Sequence, residues 1–555
     1  MNKFCKWISA VLVLAMVLAG GFSPETMTVH AAAKITISAE KLTLKEDQSK
    51  TLTVKNTTKT VNWKLNTTKY VSYKVVKKNQ ISITGKQPGV TKITAAVGKQ
   101  KFTCKVTVIE KAQDPDLLDY ANGVSGKMTN PDFWAKLSEQ PDQVLASAAE
   151  IEKINAAALA NHNTYMNDLK NIPETYDGLA LRESLANDLI ASANRENYYA
   201  NGVQVDKTSY FSTMKNNIMW STTASNPETV KYAICTRRTE LKWCPTTDYI
   251  GYSATDTDDE GVNSALNINE PMVIKAQTSD GRFYWGYAGN CTGWVNAEDV
   301  AICSSKEEWL DAWEVDPKAK DFIVVTTDRL VTDTYFYSKD ISAKTLTMGT
   351  TLKLAKKADI PAALDGRNDW HNYVVYLPTR DGNGKYVKKI GLISEHSDVH
   401  VGYVPYTERN LLQIAFECLG NRYGWGGSMD AMDCSADGVS VYRCFGFNLP
   451  RNTTWQRAMD DCTDFTEMTD KEKKKLIEKA SIGSVLYFNG HEMMYLGNYN
   501  GKLYVISALG SVLDVEDESV RSVYNVAINT LDVKRRDGTT WLTNLTGMND
   551  FAQNQ

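Results

Sequence analysis

The sequence predicts a multidomain α+β protein: a β-sandwich, a helical segment and two small β-barrels, followed by a C-terminal domain mixing helices and strands. Three observations carry this. The 555 residues exceed what one hydrophobic core organises, because domains mostly run about 100–200 residues. Hydrophobic periodicity changes along the chain, from alternation at 34–110, to helical spacing between Pro141 and Asn194, and back to short strands from 233 to about 405. Composition is that of a globular protein, 43% hydrophobic and 23% charged, which excludes wholesale disorder, collagen-like repeats and a coiled coil.

At the N-terminus, Lys3 and Lys6 precede an apolar run from Ile8 to Phe22. That run is shorter than the roughly 18–20 apolar residues a membrane-spanning helix needs. Val29-His30-Ala31 and Ala31-Ala32-Ala33 offer small-residue cleavage sites. Residues 1–33 are therefore expected to be a removable signal peptide, and the mature protein is expected to be secreted, with no membrane span. Cleavage would leave nine cysteines, an odd number with no Cys-x-x-Cys pair. This argues against structural zinc, permits one free reactive thiol, and leaves open whether the other eight form disulfides.

Residues 34–112 hold 17 lysines, no arginine and four acids, a net charge of +13 in a chain whose total is −4. The whole chain is thus no obvious nucleic-acid binder. Ile35-Thr36-Ile37, Thr51-Leu52-Thr53-Val54 and Phe102-Thr103-Cys104-Lys105-Val106 alternate apolar with polar, between turn residues such as Asn79, Gly85 and Gly89. That pattern argues an all-β sandwich. Its charge suits anionic wall polymer as a partner, and equally suits a solvated spacer.

Residues 113–232 read as a helical segment, with Val144, Ala148, Ile151 and Ile154 at helical spacing. From 233 to 303 and again from 304 to 405, short strands end on Gly-aromatic-Val, at Gly293-Trp294-Val295 and Gly402-Tyr403-Val404. Two tandem barrels fit that spacing.

Residues 406–555 carry the chemistry. A helix is expected from Thr407, with Leu411, Leu412, Ile414, Ala415, Cys418 and Leu419 as its apolar stripe and Gly420 ending it. Then follow Tyr423-Gly424-Trp425-Gly426-Gly427 and Met432-Asp433-Cys434-Ser435. Helical spacing after Cys434 puts that cysteine at a helix N-terminus, where backbone N–H groups and the helix dipole favour a thiolate. His491 opens a strand after Gly490 and is the candidate base. A cysteine and a histidine alone mean little, since most of each are structural.

The order Tyr-x-Trp-Gly-Gly, Asp-Cys-Ser, Leu449-Pro450-Arg451-Asn452-Thr453, Gly483-Ser484-Val485 and His491 resembles the NlpC-type papain-like cysteine endopeptidases of bacterial cell walls. The resemblance is strong over about 405–555. Residues 233–405 resemble paired bacterial SH3-like domains, and 34–112 resemble bacterial immunoglobulin-like domains. The implied fold is a papain-like cysteine peptidase domain preceded by two SH3-like β-barrels, the helical segment and an immunoglobulin-like sandwich. The implied activity is hydrolysis of the γ-D-glutamyl–diamino acid bond in muropeptide stem peptides with a free N-terminal L-alanine, without metal or cofactor. By the same resemblance, Cys434 is the nucleophile and His491 the general base. Asp433 and Ser435 match binding positions for the substrate's α-amino group, Tyr423 and Trp425 match cleft walls, and Asn452 and Thr453 match a polar pair contacting the stem. Glu260 and Tyr287 are candidates for further selectivity contacts. Competing readings are a wall-binding protein with a weakened peptidase domain and an amide-bond acyltransferase.

The third catalytic position departs from the pattern. Relatives place His, Asn or Gln where this chain has Ser507. Ser507 is expected to accept a bond from Nδ1–H of His491. A two-residue turn at Asn500-Gly501 would put the two side chains on opposite faces of the hairpin, whereas a bulge would put them on one face.

Overall fold

The computed structural model describes residues 33–109, 124–219, 226–513 and 519–552. Nearly all of the expected signal peptide lies outside the described residues. The chain divides into two compact units at residues 114 and 115. In the first, eight strands form two four-stranded sheets over one core. Alternation produces this: along Gln100–Ile109, Cys104, Val106 and Val108 point inward while Lys101 and Lys105 point out. The two sheets share Leu52, Ile81, Trp63, Ile93 and Val106 between them.

In the second unit, a seven-stranded antiparallel sheet spans Lys231–Ile302. Next, strands from Phe322 to Val401 make three small sheets around a core of Ile323, Leu346, Leu377 and Ile393. The C-terminal region is a six-stranded antiparallel sheet with helices packed on it. Its strand order is Thr463–Asp464, Gly547–Asn549, Val485–Phe488, His491–Tyr499, Lys502–Leu513, Val520–Thr530. Among the described residues, no helix is long and apolar enough to cross a membrane.

The helical segment differs from its expected form in two ways. Its first long helix runs Ala148–Ala160, not from Pro141, because Ser147 and Glu150 form a reciprocal capping box that starts it there. The segment is also no unit of its own. Trp134, Ile151 and Ile154 join the core of the C-terminal region, whereas Leu185, Leu189, Phe211 and Met214 join Cys244, Ile250 and Trp294 of the seven-stranded sheet region. Trp134 packs tilted against Tyr504, ring centroids 5.1 Å apart, and its indole N–H donates to the Met128 carbonyl at 2.8 Å. Each such fully buried side chain contributes about 1.5–3 kcal/mol.

Candidate active site

The helix Glu408–Phe416 is N-capped by Thr407, and Gly420 follows in a left-handed conformation, φ 87°. The next helix, Cys434–Arg443, begins on the candidate nucleophile itself. Asp433 is its N-cap and accepts from Ala436 N–H at 2.8 Å.

That aspartate is buried, at 7% exposure, and both of its oxygens are engaged. Arg451 Nη2 donates to Oδ2 at 2.8 Å and Nη1 to Oδ1 at 3.2 Å, Gly426 N–H donates at 2.9 Å, and Ser435 Oγ at 3.2 Å. Burial by itself would raise this carboxyl, but the Arg451 guanidinium and the other donors outweigh it and hold it below its ordinary range. Asp433 and Ser435 were expected to meet a substrate ammonium. Here Ser435 Oγ and Asp433 bond to each other and to Arg451, and these hydrogen bonds order the start of the Cys434 helix. Asn452 is similarly occupied, capping the Thr453–Arg457 helix through Trp455 N–H at 3.0 Å. Thr453 Oγ1 stands 3.9 Å from Cys434 Sγ. Trp425 is 46% exposed, and Tyr423 packs edge-on to Tyr524 at 6.0 Å. Tyr287 belongs to another cluster, with Trp309 and Val230, under the Lys275 ammonium. Asp258, two residues before Glu260, accepts the backbone N–H of Trp425.

His491 and Ser507 lie on neighbouring strands joined by Asn500-Gly501, both at positive φ, 54° and 83°. Tyr499 pairs with Lys502 and Gly497 with Tyr504, but Tyr495 pairs with Val505. Leu496 is therefore an extra residue, a β-bulge. Beyond it Met494 faces Ile506, so the register puts Met493 opposite Ser507 and His491, two residues away, on the same face. The ring nitrogen that results is Nε2, 3.1 Å from Ser507 Oγ, rather than the expected Nδ1. Nδ1 is left as the nitrogen available to a thiol.

Phe488 and Trp541 flank the imidazole at 5.3 Å or less. Burial first, and Arg535 second, push it down to about 4. Burial also pushes the Cys434 thiol up to about 12, with Asp433 and Glu492 adding to it. The Glu492 backbone N–H and the Thr453 hydroxyl oppose that rise. The helix N-terminus was expected to lower this thiol. Enclosure next to two carboxyl groups overrides it. Among the described residues no hydrogen bond joins Cys434 to His491, and the resting pair is neutral. Catalytic contacts commonly tighten only once substrate binds. All nine described cysteines are free of disulfides, and Cys434 and Cys462 are the two that are partly exposed.

Sequence reasoning missed Glu492 and the loop between Trp425 and Asp430. Glu492 is 1% exposed, and burial pushes its carboxyl up to about 8 against the opposing pull of Thr453, Arg451 and Gln456. The loop has four left-handed residues, Gly426, Gly427, Met429 and Asp430, the last two at φ 57° and 55°. A left-handed L-residue costs about 1–2 kcal/mol, so this loop needs outside support. A non-glycine pair in that conformation leaves no sequence signature.

Residues 420–526 match the NlpC/P60 family. The chain carries an NlpC/P60 domain. An NlpC/P60 endopeptidase from Photobacterium damselae subsp. piscicida is similar in fold, with a TM-score of 0.58 at 16% identity over 79% of this chain and 97% of that one. Domains 5–6 of the S-layer protein SbsC align at 19% identity over 14% of this chain and 43% of that chain. Their TM-score of 0.13 is too low to carry an argument. No curated protein matches. The matched span contains Cys434, His491 and Ser507, and the NlpC/P60 domain is a cysteine peptidase domain.

Proposed function

We propose that this protein is a secreted peptidoglycan endopeptidase that cleaves the γ-D-glutamyl–diamino acid bond of stem peptides carrying a free N-terminal L-alanine. The observation that carries the reading is the Cys434 helix N-terminus facing a hairpin whose bulge pairs His491 with Ser507, all inside an NlpC/P60 domain. With Nε2–H donating to Ser507, Nδ1 takes the Cys434 proton as the sulfur attacks the scissile carbonyl. The imidazolium returns that proton to the leaving amine. A water, deprotonated by His491, then hydrolyses the thioester and frees the thiol. A resting neutral pair means that the proton moves together with bond formation instead of beforehand.

Because Asp433 is bonded to Arg451, the ammonium of the L-alanine is assigned to Asp258, which accepts the Trp425 N–H, together with Glu260, which feels the charge of Asp258, since two carboxyls suit one cation. Burial raises both carboxyls, and a cation there would reverse that shift. Residues 233–405 act as two SH3-like barrels forming a wall of the cleft, and residues 34–112 act as an immunoglobulin-like module held on anionic wall polymer by their +13 charge. The test is incubation with L-Ala-γ-D-Glu-diaminopimelate and with its N-acetyl form, read by mass spectrometry. Release of L-Ala-D-Glu from the first alone supports the reading; comparable cleavage of the acetylated peptide or of intact sacculi overturns the free-amine requirement.

A further inference from the structure

The left-handed loop before the nucleophile is gripped from outside the NlpC/P60 domain. Arg238, in the seven-stranded sheet region, donates from Nη2 to the carbonyls of Gly427 at 2.8 Å and Ala431 at 2.9 Å. One nitrogen therefore bridges both ends of the strained stretch. Its Nε lies 3.4 Å from Asp430 Oδ1, and its Nη1 donates to Asn267 Oδ1 at 3.1 Å. Asn267 is itself fixed by Thr347 Oγ1 at 2.6 Å and by donation to Met348 O at 3.2 Å. Glu240 accepts the Met429 N–H, and Arg329 Nη2 donates to Asp430 O at 2.7 Å. Gly426 and Gly427 lie so close to Val262 and Ala265 that a Cβ on either would come within 2.8 Å of those residues. The loop's product is one bond, Gly426 N–H to Asp433, the residue that caps the Cys434 helix.

From this we infer that Arg238 is a positioning residue for hydrolysis, acting through the Trp425–Asp430 loop on Asp433 and so on Cys434. The inference rests on Cys434 being the nucleophile. Without the bridge, Met429 and Asp430 relax toward ordinary backbone conformations and Gly426 N–H leaves Asp433. The aspartate then carries more uncompensated charge beside the sulfur, which makes the thiol harder to ionise. Lysine at 238 keeps the charge but loses the planar fork that reaches Asn267 and the loop together.

The experiment compares the full chain with Arg238→Met, Arg238→Lys and Arg443→Met. Arg443 pairs with Glu270 at 2.5 Å across the same junction without touching the loop, so its variant reports what loss of a junction ion pair does by itself. Two readouts are taken: kcat and KM on the stem peptide, and the rate of Cys434 alkylation by iodoacetamide at about pH 8. Unlabelled Cys418, 0% exposed, certifies folding. Arg238→Met should lower kcat at least tenfold with KM changed less than threefold, and slow Cys434 alkylation at that pH at least threefold. Arg238→Lys should fall between it and wild type, and Arg443→Met should stay within twofold in kcat. In the Arg238→Met background, adding Met429→Gly and Asp430→Gly should recover at least threefold in kcat, because glycine holds the loop's conformation without the clamp. Equal effects of Arg238→Met and Arg443→Met, or no recovery with the glycines, overturn the inference. If wild type does not cleave the peptide, the proposed substrate fails while the alkylation series still decides the clamp.

Discussion

Glu492 offers a test of how burial governs this site. Its carboxyl is 1% exposed, and its ordinary value of 4.5 is pushed up to about 8 by burial, with Thr453, Arg451 and Gln456 opposing the shift and Asp433 adding to it. The folded protein thus keeps a proton that the unfolded chain releases near 4.5. The raised group contributes stability in full below pH 4.5, and that contribution is lost as pH rises through about 8. At about 1.4 kcal/mol per unit over about 3.5 units, the whole effect is about 5 kcal/mol, of which about 3 kcal/mol is gone by pH 7. Glu492→Gln keeps the shape and has no such proton to lose. Thermal unfolding of the two proteins at pH 5 and pH 8 should show near-equal midpoints at pH 5 and a variant several degrees more stable at pH 8. Asp437, raised to about 7 by its own burial, is common to both proteins and cancels in the comparison. An equal difference at both pH values, or a variant less stable at pH 8, would refute the assignment of a protonated carboxyl behind the nucleophile.

Four other outcomes are expected. Ser507→Ala removes one neutral hydrogen bond from His491, worth about 0.5–1.5 kcal/mol, and should lower kcat about three- to tenfold in steady-state assays. Deleting Leu496 removes the bulge but leaves Tyr495 opposite Val505 and His491 on the face of Ser507, so a folded deletion variant should keep kcat within about tenfold, whereas His491→Ala should lose at least 100-fold; a deletion variant as inactive as His491→Ala would discredit the register argument. Asp433→Asn leaves Arg451, 5% exposed, without its counter-charge, which should cost about 3–5 kcal/mol in denaturant unfolding. An isolated 34–112 fragment should bind walls at low salt and release as salt rises, since exposed charges are screened beyond about 10 Å at 0.1 M; salt-independent binding would exclude a charge mechanism.

Much of the C-terminal region was readable because its signals are local. Thr407 caps a helix, Cys434 starts one and His491 starts a strand, each announced by residues within one turn or one strand. The His491–Ser507 relation was not readable, because nothing in Met493-Met494-Tyr495-Leu496-Gly497 marks which residue bulges. The hydrogen bonding of Asp433 and Ser435 was not readable, because their partner, Arg451, stood in the sequence as part of a motif and its burial as a cation belongs to the assembled fold. The thiol's ionisation was misjudged for a related reason: a helix terminus is visible in sequence, but enclosure by Glu492 and Asp433 is a property of the assembled core. Arg238 carried no signal, lying 193 residues from the carbonyl it holds at Ala431.

The early helices have a consequence for how this chain is made. Trp134 and Ile154 lie against a sheet whose strands begin some three hundred residues later, with Trp134 on Tyr504 and Lys127 Nζ 2.9 Å from the Tyr499 hydroxyl. Closing so long a loop is slow even though its entropic cost grows only logarithmically with length. The emerging polypeptide must therefore carry Trp134, Ile151 and Ile154 as unsatisfied apolar surface until its last hundred residues arrive. A fragment cut at the apparent domain boundary near residue 406 would have the opposite defect, a finished sheet with its cover missing. The smallest autonomous folding unit is then nearly the whole of the second unit, and a recombinant catalytic fragment begun at 406 should collect in the insoluble fraction.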